Sequence, residues 1–144
     1  MTLFEAPAYD PRKARRRNIT IVAIVVAVLI VGTIAWFYRN YPEERVVQKF
    51  MTALENKDYE KAYGIWQHDP NWKQHPQNYP NYSFGEFYQD WGPGGEWGLI
   101  HSFHIDGSVS GGSGVVVVVT INQRKEQARL WVENKSKTMT FSPY

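Results

Sequence analysis

The sequence predicts an α+β protein in which one membrane-spanning helix precedes about three helices packed on an antiparallel sheet of about four strands. Three observations predict it. Residues 19–38, ITIVAIVVAVLIVGTIAWFY, carry no charge. Residues 43–91 repeat apolar side chains at helical spacing, and from Trp97 onward the period changes to two. At 144 residues the chain has room for one modest domain besides the span. The expected division is a basic tip over 1–18, a transmembrane helix over 19–38 and a single domain over 39–144.

The uncharged run makes a helix of about 30 Å, the hydrocarbon thickness of a bilayer. Twelve of its twenty residues are Ile, Val, Leu or Phe, Ile19, Val22, Val26, Leu29 and Ile34 among them. Each favours insertion by roughly 0.3–0.6 kcal/mol, against about 3 kcal/mol for one central Arg, so insertion wins. Trp36 and Tyr38, with Tyr41 just beyond, supply an interfacial aromatic belt. Five bases (Arg12, Lys13, Arg15, Arg16, Arg17) crowd the N-terminal flank beside two acids, Glu5 and Asp10, and the rest of the chain nets to −1. The bases on the other flank are interspersed with Glu43 and Glu44. By the positive-inside rule the N-terminus is expected in the cytoplasm and the domain in the periplasm, with the span in a bacterial inner (plasma) membrane. A cleavable signal ending near Thr33 and Ala35 is the competing reading. The arginine cluster also suits anionic lipid.

Pro42 at a first helical position, with Glu43 and Glu44 at the positive end of the dipole, opens a helix whose Val46, Val47, Phe50, Met51 and Leu54 form one apolar stripe. Asp58 is placed to cap a second short helix carrying Tyr59, Ala62, Tyr63 and Trp66. Residues 67–82 hold three prolines and three asparagines and read as an ordered loop. Ser83 and Glu86 form a capping box for a third helix, ended by Gly92 and Pro93. Trp97, Leu99, His101, Phe103 and Ile105 alternate as one face of a long strand. The turn Ser110-Gly111-Gly112-Ser113-Gly114 leads into five consecutive valines, a turn near Arg124-Lys125-Glu126 into Ala128, Leu130 and Val132, and Lys135-Ser136 into Met139 and Phe141.

Composition excludes several classes. Without cysteine there is no disulfide, thiolate nucleophile or thiolate metal site. A near-neutral domain argues against nucleic acid. No cofactor or metal is expected. His101 and His104, three apart on a strand, point to opposite faces, and His68 and His75 flank Asp69 in the loop without a full ligand set. Asp90 and Glu96 stand with Trp91 and Trp97 around a glycine turn, as solvated carboxylates or as an acid/base pair in a pocket. The glycine-rich 108–114 segment lacks the Lys and helix of a phosphate loop.

Residues 43–66, EERVVQKFMTALENKDYEKAYGIW, resemble the opening helix pair of the nuclear transport factor 2-like (cystatin-like) superfamily. There V-x-x-F-x-x-A-L, a short acidic turn and D-Y-x-x-A-Y precede a third helix and a curved sheet; Val47, Phe50, Leu54, Tyr59 and Ala62 stand at the motif's core positions. The resemblance implies a cone-shaped fold, often around a pocket, but no single activity. Its membrane-anchored members include inner-membrane assembly components of type IV secretion systems. The acid and tyrosine pattern of its isomerases has no counterpart in this sequence.

The run of valines is the strongest interaction signal, since an antiparallel strand with one wet face alternates. Val116 and Val118, with Trp131 beside them, are expected to meet a second copy or another membrane subunit, or to be hidden by sheet curvature. Trp72, Tyr79 and Tyr82 on the proline loop are either core or a recognition surface. The expected function is a noncatalytic accessory or assembly subunit of a membrane complex. The alternative is a pocket for a small hydrophobic molecule, with isomerase- or hydratase-like chemistry from Asp90, His101 or Asp106.

Overall fold

The computed structural model describes residues 10–144; residues 1–9, with Glu5 of the basic tip, lie outside the described residues. The chain divides after Arg39 into two units. The first holds helix α1 (Pro11–Phe37), 27 residues or about 40 Å long. It starts within the basic tip rather than at Ile19, because Asp10 caps it, accepting from Arg12 N at 2.9 Å with Pro11 in the first turn. None of its residues is buried, and it is long and apolar enough to cross a membrane. Thr20 and Thr33 donate their hydroxyls to Arg16 O and Leu29 O, which leaves no unbonded hydroxyl hydrogen along the apolar run. The Arg39 guanidinium carbon lies 4.5 Å from the centre of the Trp36 ring.

The second unit is α+β. Helices α2 (Tyr41–Glu55), α3 (Tyr59–Trp66) and α4 (Phe84–Trp91) precede strands β1 (Phe103–Gly111), β2 (Gly114–Ile121), β3 (Gln127–Glu133) and β4 (Met139–Phe141). The strands form an antiparallel meander in the order β1-β2-β3-β4. The expected caps form: Asp58 accepts from Lys61 N, and Ser83 and Glu86 close a full capping box. Val47, Phe50, Met51 and Leu54 are buried on α2, which packs on β1, β2 and β3. Phe50 is enclosed by the rings of Trp66, Phe87 and Trp91, with centroids 5.4, 6.1 and 5.1 Å away. Val115, Val117, Val119 and Ile121 complete this core from the sheet.

Three features differ from the sequence-based expectation. The first strand begins at Phe103, not near Trp97. Trp97 and Ile100 are buried while Leu99 and His101 are exposed, so the apparent alternation is a folded loop. Its backbone bonds are taken by one side chain from across the sheet, because Asn122 Oδ1 accepts from His101 N and Ser102 N and Asn122 Nδ2 donates to Leu99 O. The β2–β3 turn falls earlier than Arg124, on Asn122 and Gln123, whose φ values of 50° and 57° are those of a type I′ turn closed by Arg124 N to Ile121 O. Residues 67–82 contain two short 3₁₀ turns, Trp72–Gln74 and Pro76–Asn78.

Glu43 is the buried charged side chain of this core, 5% exposed in the first turn of α2, and it pairs with Lys137 from the β3–β4 turn. Beside it, Glu44 accepts from Ser108 Oγ at 2.5 Å and Asn40 bonds Ser108 and Ser110. The beginning of the domain is thereby fixed to β1.

Candidate docking site

The sheet has two distinct faces. On β2, Val115, Val117 and Val119 point into the core, whereas Val116 and Val118 are only half-buried on the opposite face. The register sets Val109, Val116, Trp131 and Thr140 side by side across all four strands, and Val118 next to Arg129. One row of this outer face is therefore apolar across three strands. Val109 is 65% exposed.

Trp131 lies flat on a bed made by the last pair of the β1–β2 hairpin, Gly111 and Gly114. A Cβ at Gly114 would fall 2.5 Å from the Trp131 ring and 2.5 Å from Val132 O; one at Gly111 would touch the ring at 3.6 Å. The indole is held by Nε1 donating to Glu133 at 2.9 Å and by Tyr144, 6.2 Å away between centroids. Glu133 sits below the usual carboxylate range, chiefly because it accepts from Trp131 and also from Ser113. The far end of the face is polar. Asp106, the extra residue of a bulge between Ile105 and Gly107, accepts from Thr120 at 2.6 Å and Gln127 at 2.9 Å.

The proline-loop aromatics are packed rather than presented. Trp72 is buried, donates its indole N–H to Glu60 O and stacks on Phe84 at 5.0 Å. Tyr79 and Tyr82 are half-buried against Tyr63 and Trp66, and their hydroxyls donate to Asp69 (2.5 Å) and Asp90 (2.8 Å). Three rings in one loop bury more apolar area against the core than they would expose, which overturns Trp72 as a contact for a partner. His75 Nδ1 lies 3.3 Å from the same Asp69 oxygen.

The Tyr79 bond has a titration signature. Asp69 is held below its ordinary range, chiefly by the Tyr79 hydroxyl, and Tyr79 is pushed up to about 12, chiefly by that carboxylate. The Asp69 contribution to stability is present above the ordinary carboxylate range and lost as pH falls through its depressed folded value. The Tyr79 contribution is complete below its unfolded value and lost as pH rises through about 12. Asp69→Asn returns Tyr79 toward ordinary tyrosine behaviour, measured by NMR of ring-labelled tyrosine. An unchanged Tyr79 titration in that variant contradicts the assignment.

Of the acid/base candidates, Asp90 and Glu96 share one cleft, and His101 and Asp106 stand outside it. Asp90, Glu96, Trp91 and Trp97 line a cleft of about 410 Å³ with Phe141 at its edge. His101 is exposed ahead of β1 and Asp106 faces Thr120 and Gln127, and neither lines that cleft. Tyr82, beside Asp90, is pushed above its ordinary range by burial first and by the Asp90 hydrogen bond second. Among the described residues no group of three or more His, Asp or Glu is arranged to hold a metal ion.

Sequence reasoning singled out Val116, Val118 and Trp131 but missed Val109, Tyr144 and the two glycines. The available signal was the pair Gly111 and Gly114 closing a two-residue hairpin one strand away from a tryptophan. Compared with known proteins, the chain matches no family model, no curated protein and no solved structure.

Proposed function

We propose that the protein is a single-pass, N-in membrane protein that acts as a noncatalytic accessory or assembly subunit, docking a membrane-protein partner or a second copy through the outer face of its sheet. The carrying observation is the apolar row Val109, Val116 and Trp131, with the tryptophan held flat on Gly111 and Gly114. A tryptophan fixed before binding loses little side-chain entropy on docking, and large aromatic residues dominate interface energetics.

The five bases ahead of the span support a cytoplasmic N-terminus and a periplasmic domain in a bacterial inner membrane. The order of three helices and a four-stranded antiparallel sheet, with the V-x-x-F-x-x-A-L stripe buried on α2, supports membership of the nuclear transport factor 2-like superfamily. Against the pocket reading stands a core filled by aromatic rings, with Asp90 in a cleft that neither His101 nor Asp106 lines.

Val116→Asp combined with Val118→Asp, made in the full chain in its native membrane, shrinks the complex extracted in mild detergent, measured by size-exclusion chromatography with light scattering. Circular dichroism checks the fold, and the near-isosteric Val116→Thr, Val118→Thr pair serves if the aspartates unfold the domain. An unchanged complex size in a folded variant overturns the proposal.

A further inference from the structure

We propose that a groove formed by α2, α3 and the loop that follows α3 binds a small organic anion, a carboxylate carried on an apolar body. The groove lies within the second unit and shares no residue with the outer sheet face or with the cleft at Asp90. Its volume is about 860 Å³, roughly twice that of the Asp90 cleft and within the usual range for ligand sites. Val46 and Lys49 stand three apart on α2, and Lys61 and Ile65 four apart on α3, so each helix turns one apolar and one cationic side chain to the groove. The buried Trp72 supplies the floor, its indole N–H donating to Glu60 O. Gly64 lets the loop come this close to α3, since a Cβ there would lie 3.1 Å from Asp69 O and 3.4 Å from Trp72 Cδ1.

Three lysines and three acids line the groove, and the acids are committed. Asp58 accepts from Lys61 N at the start of α3, Glu60 pairs with Lys73, and Asp69 accepts from Asn71 N and from the Tyr79 hydroxyl. The ammonium groups of Lys49 and Lys61 have no acid partner among the described residues. Two uncompensated cations beside apolar side chains complement a carboxylate with an apolar body. His68 adds an independent argument. It is the first residue past the C-cap of α3, at φ 52°, where His68 N donates to Ile65 O and Asp69 N to Gly64 O. This left-handed position is the one glycine fills at least cost. A histidine is held there against backbone strain, and its ring brings a further N–H donor to the groove.

The test uses the full-length protein in phosphatidylcholine nanodiscs with its six tryptophans fluorinated, each fluorine resonance assigned by replacing one tryptophan at a time. Trp72 reports the groove and Trp131 the sheet face. Phenylbutyrate is the probe, and phenylbutyramide its uncharged control. The expected result is a saturable shift at Trp72, with the carboxylate bound about fivefold more tightly than the amide and the difference shrinking as salt is added. Lys49→Gln combined with Lys61→Gln abolishes that difference. His68→Gly weakens carboxylate binding several-fold while raising the melting temperature, because glycine relieves the strain; a purely structural histidine would not move the two in opposite directions. Equal binding of carboxylate and amide, unchanged affinity in the lysine pair, or a shift at Trp131 without one at Trp72 overturns the proposal. So does the absence of a saturable change at Trp72 up to about 10 mM probe.

Discussion

Replacing Phe50 by alanine lowers the unfolding free energy of the domain by about 3–5 kcal/mol. Phe50 is fully buried on α2 and is the meeting point of Trp66 from α3 and of Phe87 and Trp91 from α4. Truncation removes the apolar area of the ring and leaves a cavity whose walls are large rigid indoles, which close a void poorly. A domain of this size has about 5–15 kcal/mol of stability, so the variant sits near the unfolding threshold and melts well over 10 °C lower. Phe50→Leu keeps most of the volume and loses a fraction of that. Thermal and denaturant unfolding of the full chain in detergent measures both. A Phe50→Ala variant within about 1 kcal/mol of the parent would show that the ring cluster is not the centre of the core.

The second large effect is all-or-none. In the proposed topology, changing Arg12, Lys13, Arg15, Arg16 and Arg17 to glutamine while adding three lysines after Tyr38 inverts most molecules, because retention of Lys and Arg on the cytoplasmic side sets the orientation. The span itself is unchanged, so insertion persists while its direction switches. Protease protection in inverted and right-side-out vesicles reads the outcome through the side on which the domain is digested. A domain that stays on its original side after the swap contradicts the assignment of these five bases as the orientation signal.

The helical half of the fold was legible because its signals are local. Pro42, Asp58, Ser83 with Glu86, and the apolar stripe of α2 act within one or two turns, and each stands where the spacing places it. The start of β1 was not legible, because Asn122, twenty or more positions away, supplies the hydrogen bonds that turn residues 99–102 out of the ladder. The β2–β3 turn was misplaced for a related reason. Asn122 and Gln123 take the left-handed conformation without glycine to announce it. The two faces of β2 were readable from the valine run itself. The seating of Trp131 was not, since it needs the register that puts Gly114 one strand away and two residues along. The burial of Trp72 depends on Glu60 O and Phe84 and was one of two open readings.

The pairing of Glu43 with Lys137 spans 94 positions of sequence, and the bond between Ser110 and Asn40 spans 70. The order of synthesis gives this a consequence. The ribosome delivers α1 and α2 first, long before the chain that neutralises Glu43 exists. Until Lys137 emerges, packing α2 into the core would strand a carboxylate without its counter-charge, which holds the early helices back from premature closure. Contacts this distant also make folding slow relative to helix formation. The domain is thus built to lock only when its last hairpin arrives.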